Sequence, residues 1–192
     1  MICDIDPAAN AFWIANQMEQ KRYEYELTPD ELVIDLGAYQ GEFSRLIHDR
    51  YGCQVIAVEM TEAANSLIHC PWCTLIKKAA SIDYLPLKFG GNSYYTTHME
   101  PGNQVYDCFD IMDLMHQSIG LLKINVEGME WAIMRRILDM NAAKYVKYLQ
   151  IQFHKLNEMS DAAYMLIHDE LTKTHSLMWR VPYVWESWKR ND

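Results

Sequence analysis

Polar side chains with a regular spacing interrupt one apolar run near the middle of the chain. Lys123, Asn125 and Glu127 alternate with apolar residues, so in a β-strand all three project from one face. Gly128 then permits a turn, which places Glu127 at the carboxyl end of that strand. A lysine and an amide inside a buried strand need hydrogen-bonding partners. The pattern predicts either a polar site at a strand end or a buried pair of Lys123 and Glu127 that only braces the strand.

A histidine follows the next apolar run. The strand predicted at 145–153 leads directly into His154. Because ligands of parallel sheets bind at the carboxyl ends of the strands, we expect His154 to lie near Asn125 and Glu127. An imidazole at that place is suited to act as a general base, and it is equally suited to donate a hydrogen bond to a loop carbonyl.

The elements that must position these side chains begin with a strand, a glycine turn and a helix. The strand at 32–36 contains one acid, Asp35, and the turn contains Gly37 and Gly41. Apolar residues with the spacing of a buried helix face follow the turn: Phe43, Leu46 and Ile47. Glycine permits a positive φ and the close approach of a ligand, and the first N–H groups after Gly41 are free to face that ligand. The turn lacks the Gly-x-Gly-x-x-Gly pattern of dinucleotide sites, which favours S-adenosylmethionine over NAD or FAD. An ordinary strand-to-helix turn without a ligand is the alternative.

Two further strand ends are suited to contact a nucleoside. Glu59 ends the apolar run 55–58, about 20 residues beyond the glycine turn, where a ribose-binding carboxylate belongs. At the end of the third strand, Ala80 leaves room for adenine, and Ser81 or Asp83 could bond its amino group. The alternatives are a solvated strand end at Glu59 and a plain polar turn at 79–83.

The length of the chain predicts one domain. The 192 residues are enough for one sizeable core, and no linker, repeat or low-complexity segment divides them. We expect a single domain at 1–192, with an N-terminal helix or cap at 1–30 and a β-hairpin insertion at 85–110. Within the cap, Pro7 predicts the start of a helix that continues through Gln20, and the alternation at 23–27 predicts a short strand. The hairpin strands are predicted at 94–97 and 105–109, and His98 falls inside the insertion.

Charge and hydropathy limit the expected partners. The formal net charge is −9, from 17 basic and 26 acidic residues. An acidic surface repels phosphate backbones, which predicts no nucleic-acid partner. No apolar run is long enough to span a membrane, and the start of the chain lacks the basic and apolar segments of a signal peptide. We therefore expect a cytoplasmic protein with no membrane partner.

The cysteines predict no metal site. Five cysteines are an odd number without a framework spacing, which is typical of reduced thiols. Cys70 and Cys73 have the spacing of a zinc or redox pair, but zinc needs four ligands and only His69 is adjacent. The pair is more simply interpreted as two small residues in a turn before the third strand.

Taken together, these stretches resemble the FkbM-type family of S-adenosylmethionine-dependent, class I methyltransferases. The resemblance runs in order from about Leu32 to His154, and the block Leu122–Glu130 is its most specific part. It implies an α/β, Rossmann-like class I methyltransferase fold with a mostly parallel seven-stranded sheet, helices on both faces and a β-hairpin insertion. It also implies S-adenosylmethionine as methyl donor, S-adenosylhomocysteine as product and a small-molecule or carbohydrate acceptor. The methylated group would be a hydroxyl of a sugar or secondary metabolite.

The resemblance also implies roles for individual residues. The cofactor-binding positions are Asp35, Gly37, Ala38, Tyr39, Gly41, Glu59, Met60, Ala80, Ser81 and Asn125. The polar site positions include Glu130, and the catalytic candidates are His154, Glu127, Lys123 and Asn125. In this hypothesis His154 or Glu127 accepts the proton of the acceptor hydroxyl, while Lys123 fixes Glu127 or stabilises the developing alkoxide.

The chain departs from the family pattern at two positions. Asn125 stands where the family usually has aspartate, and Gln152 stands where it often has glutamate. Because an amide cannot take up a proton as a carboxylate does, a catalytically weak or inactive cofactor-binding module is the alternative function. A nucleotide-sugar or NAD enzyme on the same sheet is a third possibility, which the missing third glycine disfavours.

Overall fold

The computed structural model describes residues 6–89 and 104–192. Eleven strands are found within these ranges: β1 (Leu32–Leu36), β2 (Gln54–Val58), β3 (Cys73–Ile76), β4 (Ala79–Ser81), β5 (Leu87–Phe89), β6 (Gln104–Tyr106), β7 (Cys108–Asp110), β8 (Ile119–Ile124), β9 (Val146–Ile151), β10 (His175–Val181) and β11 (Trp185–Arg190). The α-helices of the same ranges are α1 (Pro7–Ala15), α2 (Glu42–Tyr51), α3 (Glu130–Asp139) and α4 (Ser160–Leu171). Short 3₁₀ segments lie at Met18–Tyr23, Glu62–Leu67, Ile111–Asp113 and Ala143–Tyr145.

The main sheet is mostly parallel. Its order is β3-β2-β1-β8-β9-β11-β10, and within it only β11 runs against the other six described strands. From β1 the chain adds β2 and β3 on one side, and it then returns to add β8 and β9 on the other. The order therefore reverses between β1 and β8. In open α/β sheets, ligands bind at the carboxyl ends of the strands beside such a switch point.

Helices cover both faces of this sheet because neighbouring residues of a strand point in opposite directions. On one face, Val33 of β1 packs in a cluster with Phe43 and Ile47 of α2. On the other, Ile34 belongs to the larger core cluster with Ile133 of α3. β8 is buried along its whole length, as expected for a central parallel strand.

The region predicted as an insertion contributes to two small strand pairs, one of them with β4, which precedes that region. β5 and β6 pair antiparallel, while β4 and β7 pair parallel. The strand predicted at 105–109 is therefore divided into β6 and β7, because its two halves join different partners. The predicted strand at 94–97, the flanking turns and His98 lie outside the described residues.

The N-terminal segment differs from the prediction in detail. The helix expected to continue through Gln20 ends at Ala15, and Gln17 has a left-handed φ of 51° before the first 3₁₀ segment. The short strand expected at 23–27 forms no ladder. Tyr25 instead packs its ring against Tyr148 and places its hydroxyl 2.7 Å from the Gln150 amide. In the described ranges, no helix combines the length and apolar character needed to cross a membrane.

Candidate functional site

The glycines of the first turn are required by the packing of the protein itself. Gly37 has a φ of +76°, and a Cβ there would lie 1.7 Å from the backbone oxygen of Asn125. Gly41 has a φ of +77° and is the N-cap of α2, and a Cβ there would lie 2.6 Å from side-chain carbons of Leu67. The turn is thus closely packed against the end of β8 on one side and the second 3₁₀ segment on the other. The approach of a ligand to Gly37 stays a prediction.

The partner of Lys123 is Asp35. The Lys123 Nζ lies 2.8 Å from Asp35 Oδ1, and it donates hydrogen bonds to the backbone oxygens of Gly37 at 2.7 Å and Leu36 at 3.3 Å. Asp35 also accepts a hydrogen bond of 2.7 Å from Ser44 Oγ, and both charged side chains are buried. The alternative of a buried ion pair is found for Lys123, but its carboxylate partner is Asp35 rather than Glu127, because β1 lies beside β8.

The buried pair of Lys123 and Asp35 holds the glycine turn in position. With Lys123 3% exposed and its donors directed at β1 and the glycine turn, its position fixes the turn relative to β8. The same holds for Asp35, which is fully buried and connects to α2 through Ser44. Asp35 was predicted to bind the cofactor, and Lys123 to fix Glu127 or to stabilise the alkoxide; these roles stay predictions, and the contacts that the structure shows are those that position the turn.

Glu59 closes β2 and binds the glycine turn. Its Oε2 accepts a hydrogen bond of 2.9 Å from the Tyr39 N–H, and its Oε1 accepts bonds of 2.9 and 2.8 Å from the N–H and hydroxyl of Thr61. Tyr39 has a left-handed φ of 49°, and Ala38 beside it is buried. A carboxylate offers about four acceptor positions, so three protein donors leave about one for a ribose hydroxyl.

Asp83, one of the residues predicted to bond adenine, is half-buried and accepts a hydrogen bond of 2.9 Å from the Leu85 N–H. The cofactor-binding positions predicted at Ala80, Ser81 and Met60 are mostly covered by protein. Ala80 is 6% exposed and Ser81 1% exposed, because β4 pairs with β7. Met60 is half-buried against the small cluster of Ala79 and Cys108. Of these three, Met60 has the most accessible side chain in the described structure.

Asn125 follows β8 at the switch point and has an unusual amide. Its backbone N–H continues the ladder to Leu36 at 3.0 Å. Its side-chain Oδ1 is buried, and it has no hydrogen-bond partner among the described residues. Because burying an amide oxygen without a donor costs about 1–3 kcal/mol, an unpartnered oxygen next to the glycine turn indicates a place for a donor from a ligand.

His154 lies between two carboxylates. Its Nδ1 is 2.8 Å from Glu130 Oε1, and its Nε2 is 3.4 Å from Glu127 Oε2. The Trp131 indole donates a hydrogen bond of 3.0 Å to the His154 backbone oxygen. Glu130 is fully buried, whereas the Glu127 side chain remains 32% exposed.

This geometry determines the protonation of the imidazole. Burial lowers the pKa of His154, but the charge and hydrogen bond of Glu130 and the charge of Glu127 outweigh it and raise the pKa to about 9. At neutral pH His154 therefore already holds its proton. Of the two side chains predicted to act as the base, the exposed carboxylate of Glu127 is better placed to accept a proton.

Tertiary structure thus brings Asn125, Glu127 and His154 to one edge of the sheet, as the sequence predicted. Sequence reasoning missed the contact between Glu130 and His154. The available clue was the position of Glu130 in the first turn of α3, where a carboxylate finds free backbone N–H groups.

The cysteine pair lies in a turn. The Cys73 N–H donates a hydrogen bond of 3.0 Å to the Cys70 oxygen, and β3 begins at Cys73. Burial raises the pKa of the Cys73 thiol to about 11, which makes it a poor thiolate at neutral pH. No group of three or more His, Cys, Asp or Glu side chains suited to a metal is found in the part of the chain that the structure describes.

Comparison with known proteins gives structural similarity without sequence similarity. No protein-family model and no curated protein matches the chain. A methyltransferase FkbM from Methylobacillus flagellatus aligns with a TM-score of 0.58 at 12% identity, covering 86% of this chain and 44% of that protein. A putative rRNA methylase from Clostridium thermocellum aligns with a TM-score of 0.54 at 10% identity, covering 93% and 96%. The 23S rRNA methyltransferase ErmE aligns with a TM-score of 0.50 at 16% identity, covering 92% and 68%.

These neighbours correct one expectation. The acidic net charge predicted no nucleic-acid partner, yet two of the three neighbours are named as enzymes of ribosomal RNA. The exclusion of nucleic acid was therefore wrong. Its physical flaw is that net charge is a sum over the whole surface, whereas binding depends on the local charge beside the site.

The neighbours also test the predicted architecture. The presence of an FkbM methyltransferase among them agrees with the resemblance in the sequence, although this chain spans less than half of that protein. At such low identity the similarity establishes the fold alone. The chain has the mostly parallel, seven-stranded, Rossmann-like fold of the class I S-adenosylmethionine-dependent methyltransferases.

Proposed function

We propose that this chain is an S-adenosylmethionine-dependent methyltransferase that transfers the methyl group to a hydroxyl. The observation that carries the proposal is the buried, unpartnered Oδ1 of Asn125, which lies at the switch point beside the glycine turn. An acceptor atom at that place suits the ammonium group of the methionine part of the cofactor, or the hydroxyl of the substrate. Glu127 and His154 supply ionisable groups on the same edge.

The residues around the turn fit the proposed cofactor. Glu59 has about one acceptor position left for a ribose hydroxyl, and Met60 offers an accessible apolar side chain next to it. Asn125 Oδ1 would accept a hydrogen bond from the ammonium group. When bound, S-adenosylmethionine would supply a methyl group bonded to a positively charged sulfur. That sulfur is the leaving group when an oxygen takes the methyl group.

The protein's part in the reaction is alignment and removal of one proton. Glu127 accepts the proton that the hydroxyl loses, and its partial exposure lets that proton pass on to water. His154 is already protonated at neutral pH and stabilises the ionised form of Glu127. Lys123 and Asp35 hold the glycine turn in place beneath the reacting groups.

Calorimetry with the purified chain tests cofactor binding. We expect S-adenosylmethionine to bind and NAD not to bind, because the turn lacks the glycine pattern of dinucleotide sites. Asn125→Ala should weaken binding of S-adenosylmethionine about tenfold or more, the equivalent of one lost hydrogen bond to a charged group. The matched control is Asn191→Ala, since Asn191 follows β11 at the opposite edge of the sheet and bonds only to Ser176 through its side chain. Binding of NAD, or equal affinities of the two variants, would contradict the proposal.

A cofactor-binding module without catalysis is the second candidate, favoured by Asn125 and Gln152 in place of acids. The two candidates differ in release of S-adenosylhomocysteine with a panel of acceptors: sugar hydroxyls, hydroxylated secondary metabolites and RNA. Turnover with one class of acceptor would establish the enzyme and its substrate class. Binding without turnover by the wild type, together with turnover by Asn125→Asp, would instead establish the inactive module and locate its cause.

A further inference from the structure

Glu130 contacts three protein groups at the candidate site. Its Oε1 accepts a hydrogen bond of 2.8 Å from the Val126 N–H, and its Oε2 accepts one of 2.8 Å from the Gly128 N–H. The same Oε1 lies 2.8 Å from His154 Nδ1. The carboxylate is completely buried, and all three of these donors are protein groups.

The two backbone donors lie on either side of Glu127. Glu127 itself has a left-handed φ of 53°, a conformation that costs a non-glycine residue about 1–2 kcal/mol. Gly128 follows with a φ of 112°, which side chains rarely adopt. Such a backbone persists only where surrounding contacts hold it, and the hydrogen bonds of Glu130 to Val126 and Gly128 are those contacts.

We propose that Glu130 is a positioning residue, which holds the backbone of Glu127 in its strained conformation and orients the His154 imidazole towards the Glu127 carboxylate. The catalytic importance of this role rests on the proposed methyl transfer, in which Glu127 is the base. In this arrangement the buried carboxylate of Glu130 orients the protonated imidazole of His154. That imidazole in turn faces the partly exposed carboxylate of Glu127. Glu130 itself would not touch the substrate, because its side chain is completely buried.

The electrostatics around the imidazole agree with this arrangement. The charged groups that face His154 in the described structure are Glu130 from α3 and Glu127 from the loop after β8. Trp131 contributes a neutral hydrogen bond to the backbone of His154. Loss of the Glu130 charge should therefore lower the pKa of His154 more than loss of the Glu127 charge, since Glu130 is nearer and more deeply buried.

The experiment is an NMR titration of the histidine side chains in the full-length chain, with the His154 signal assigned by its disappearance in His154→Gln. In the wild type we expect a midpoint near 9. In Glu130→Gln we expect the midpoint to fall by one unit or more, and in Glu127→Gln by less. A wild-type midpoint near the ordinary 6.5, or an unchanged midpoint in Glu130→Gln, would overturn the proposal. If Glu130→Gln does not fold, the wild-type midpoint and the effect of Glu127→Gln decide the question.

Glu186→Gln is the matched control. Glu186 is 2% exposed, and it accepts hydrogen bonds from the Trp188 indole at 2.8 Å and from His168 at 3.0 Å, neither of which is a residue of the candidate site. The Glu186→Gln substitution should lower the free energy of unfolding without moving the midpoint of the His154 titration. The titration needs no substrate, so a failure of the positioning role can be told apart from a failure of the proposed reaction. With an active acceptor, Glu130→Gln should lower kcat more than it changes KM and should shift the pH–rate profile, whereas Glu186→Gln should shift neither.

Discussion

At the scale of single residues, the candidate site depends on buried charges that are satisfied in pairs. Lys123 and Asp35 neutralise each other beneath the glycine turn, and Glu130 and His154 do so beside Glu127. A buried charge is costly unless it is paired and hydrogen-bonded. The reactive edge of the sheet is therefore built from residues whose replacement should affect folding as well as chemistry.

We predict that Lys123→Met destabilises the protein by about 3–5 kcal/mol, because it leaves the buried carboxylate of Asp35 without its cation. The double variant Lys123→Met with Asp35→Asn should lose less than the sum of the two single variants, since it leaves neither charge unpaired. Urea denaturation of the four proteins measures this coupling. Additive losses would show that the two side chains act independently.

At the scale of elements, the turn between β1 and α2 is closely constrained by its neighbours. It contacts the end of β8 through Gly37 and the 3₁₀ segment at Glu62–Leu67 through Gly41. Glu59 adds a hydrogen bond from the end of β2. Residues at the ends of three neighbouring strands, β1, β2 and β8, thus contact this turn. The binding of a cofactor at the turn would therefore depend on the position of each strand.

We predict that Gly37→Ala destabilises the protein by more than about 2 kcal/mol, because it combines a left-handed φ with a clash against the Asn125 backbone. Gly52→Ala is the control. Gly52 has nearly the same φ, +73°, but a Cβ there would meet only Pro29 carbons at 3.5 Å. The Gly52→Ala variant should lose about 1 kcal/mol of its free energy of unfolding. Equal losses in thermal or urea denaturation would show that the close approach of Asn125 is unimportant.

At the scale of the whole molecule, the raised pKa of His154 links stability to pH. The folded pKa of about 9 lies above the ordinary value near 6.5, so the imidazolium stabilises the folded state. That contribution is fully present below pH 6.5 and is lost as the pH rises through 9. Its size is about 3 kcal/mol on the rule that one pKa unit equals 1.36 kcal/mol.

We therefore predict that the free energy of unfolding falls between pH 6.5 and pH 9.5 by an amount that His154→Gln abolishes. Urea denaturation across this range, for wild type and variant side by side, isolates the contribution of His154 from that of other titrating groups. Parallel curves for the two proteins would mean that His154 titrates alike in the folded and unfolded states.

The sequence determined the elements of this protein well. Apolar runs, glycine turns and the spacing of apolar residues in α2 predicted β1, β2, β8 and β9 and the helix that follows β1, because such patterns depend on neighbours within a few residues. The same locality explains the errors in detail. A 3₁₀ segment ends at Tyr23 and residues 24–27 form no strand, while 105–109 divides into two strands, because a ladder needs partners that lie far away in the sequence.

The tertiary structure alone decided which charges meet. In sequence Lys123 is closest to Glu127, but the placement of β1 beside β8 gives it Asp35 instead. Likewise, only the folded chain places His154 between Glu130 and Glu127 and thereby keeps its proton at neutral pH. The types of the polar residues and their strand ends are local properties, whereas their partners and protonation depend on strand order, on burial and on the fields of charges from distant parts of the chain.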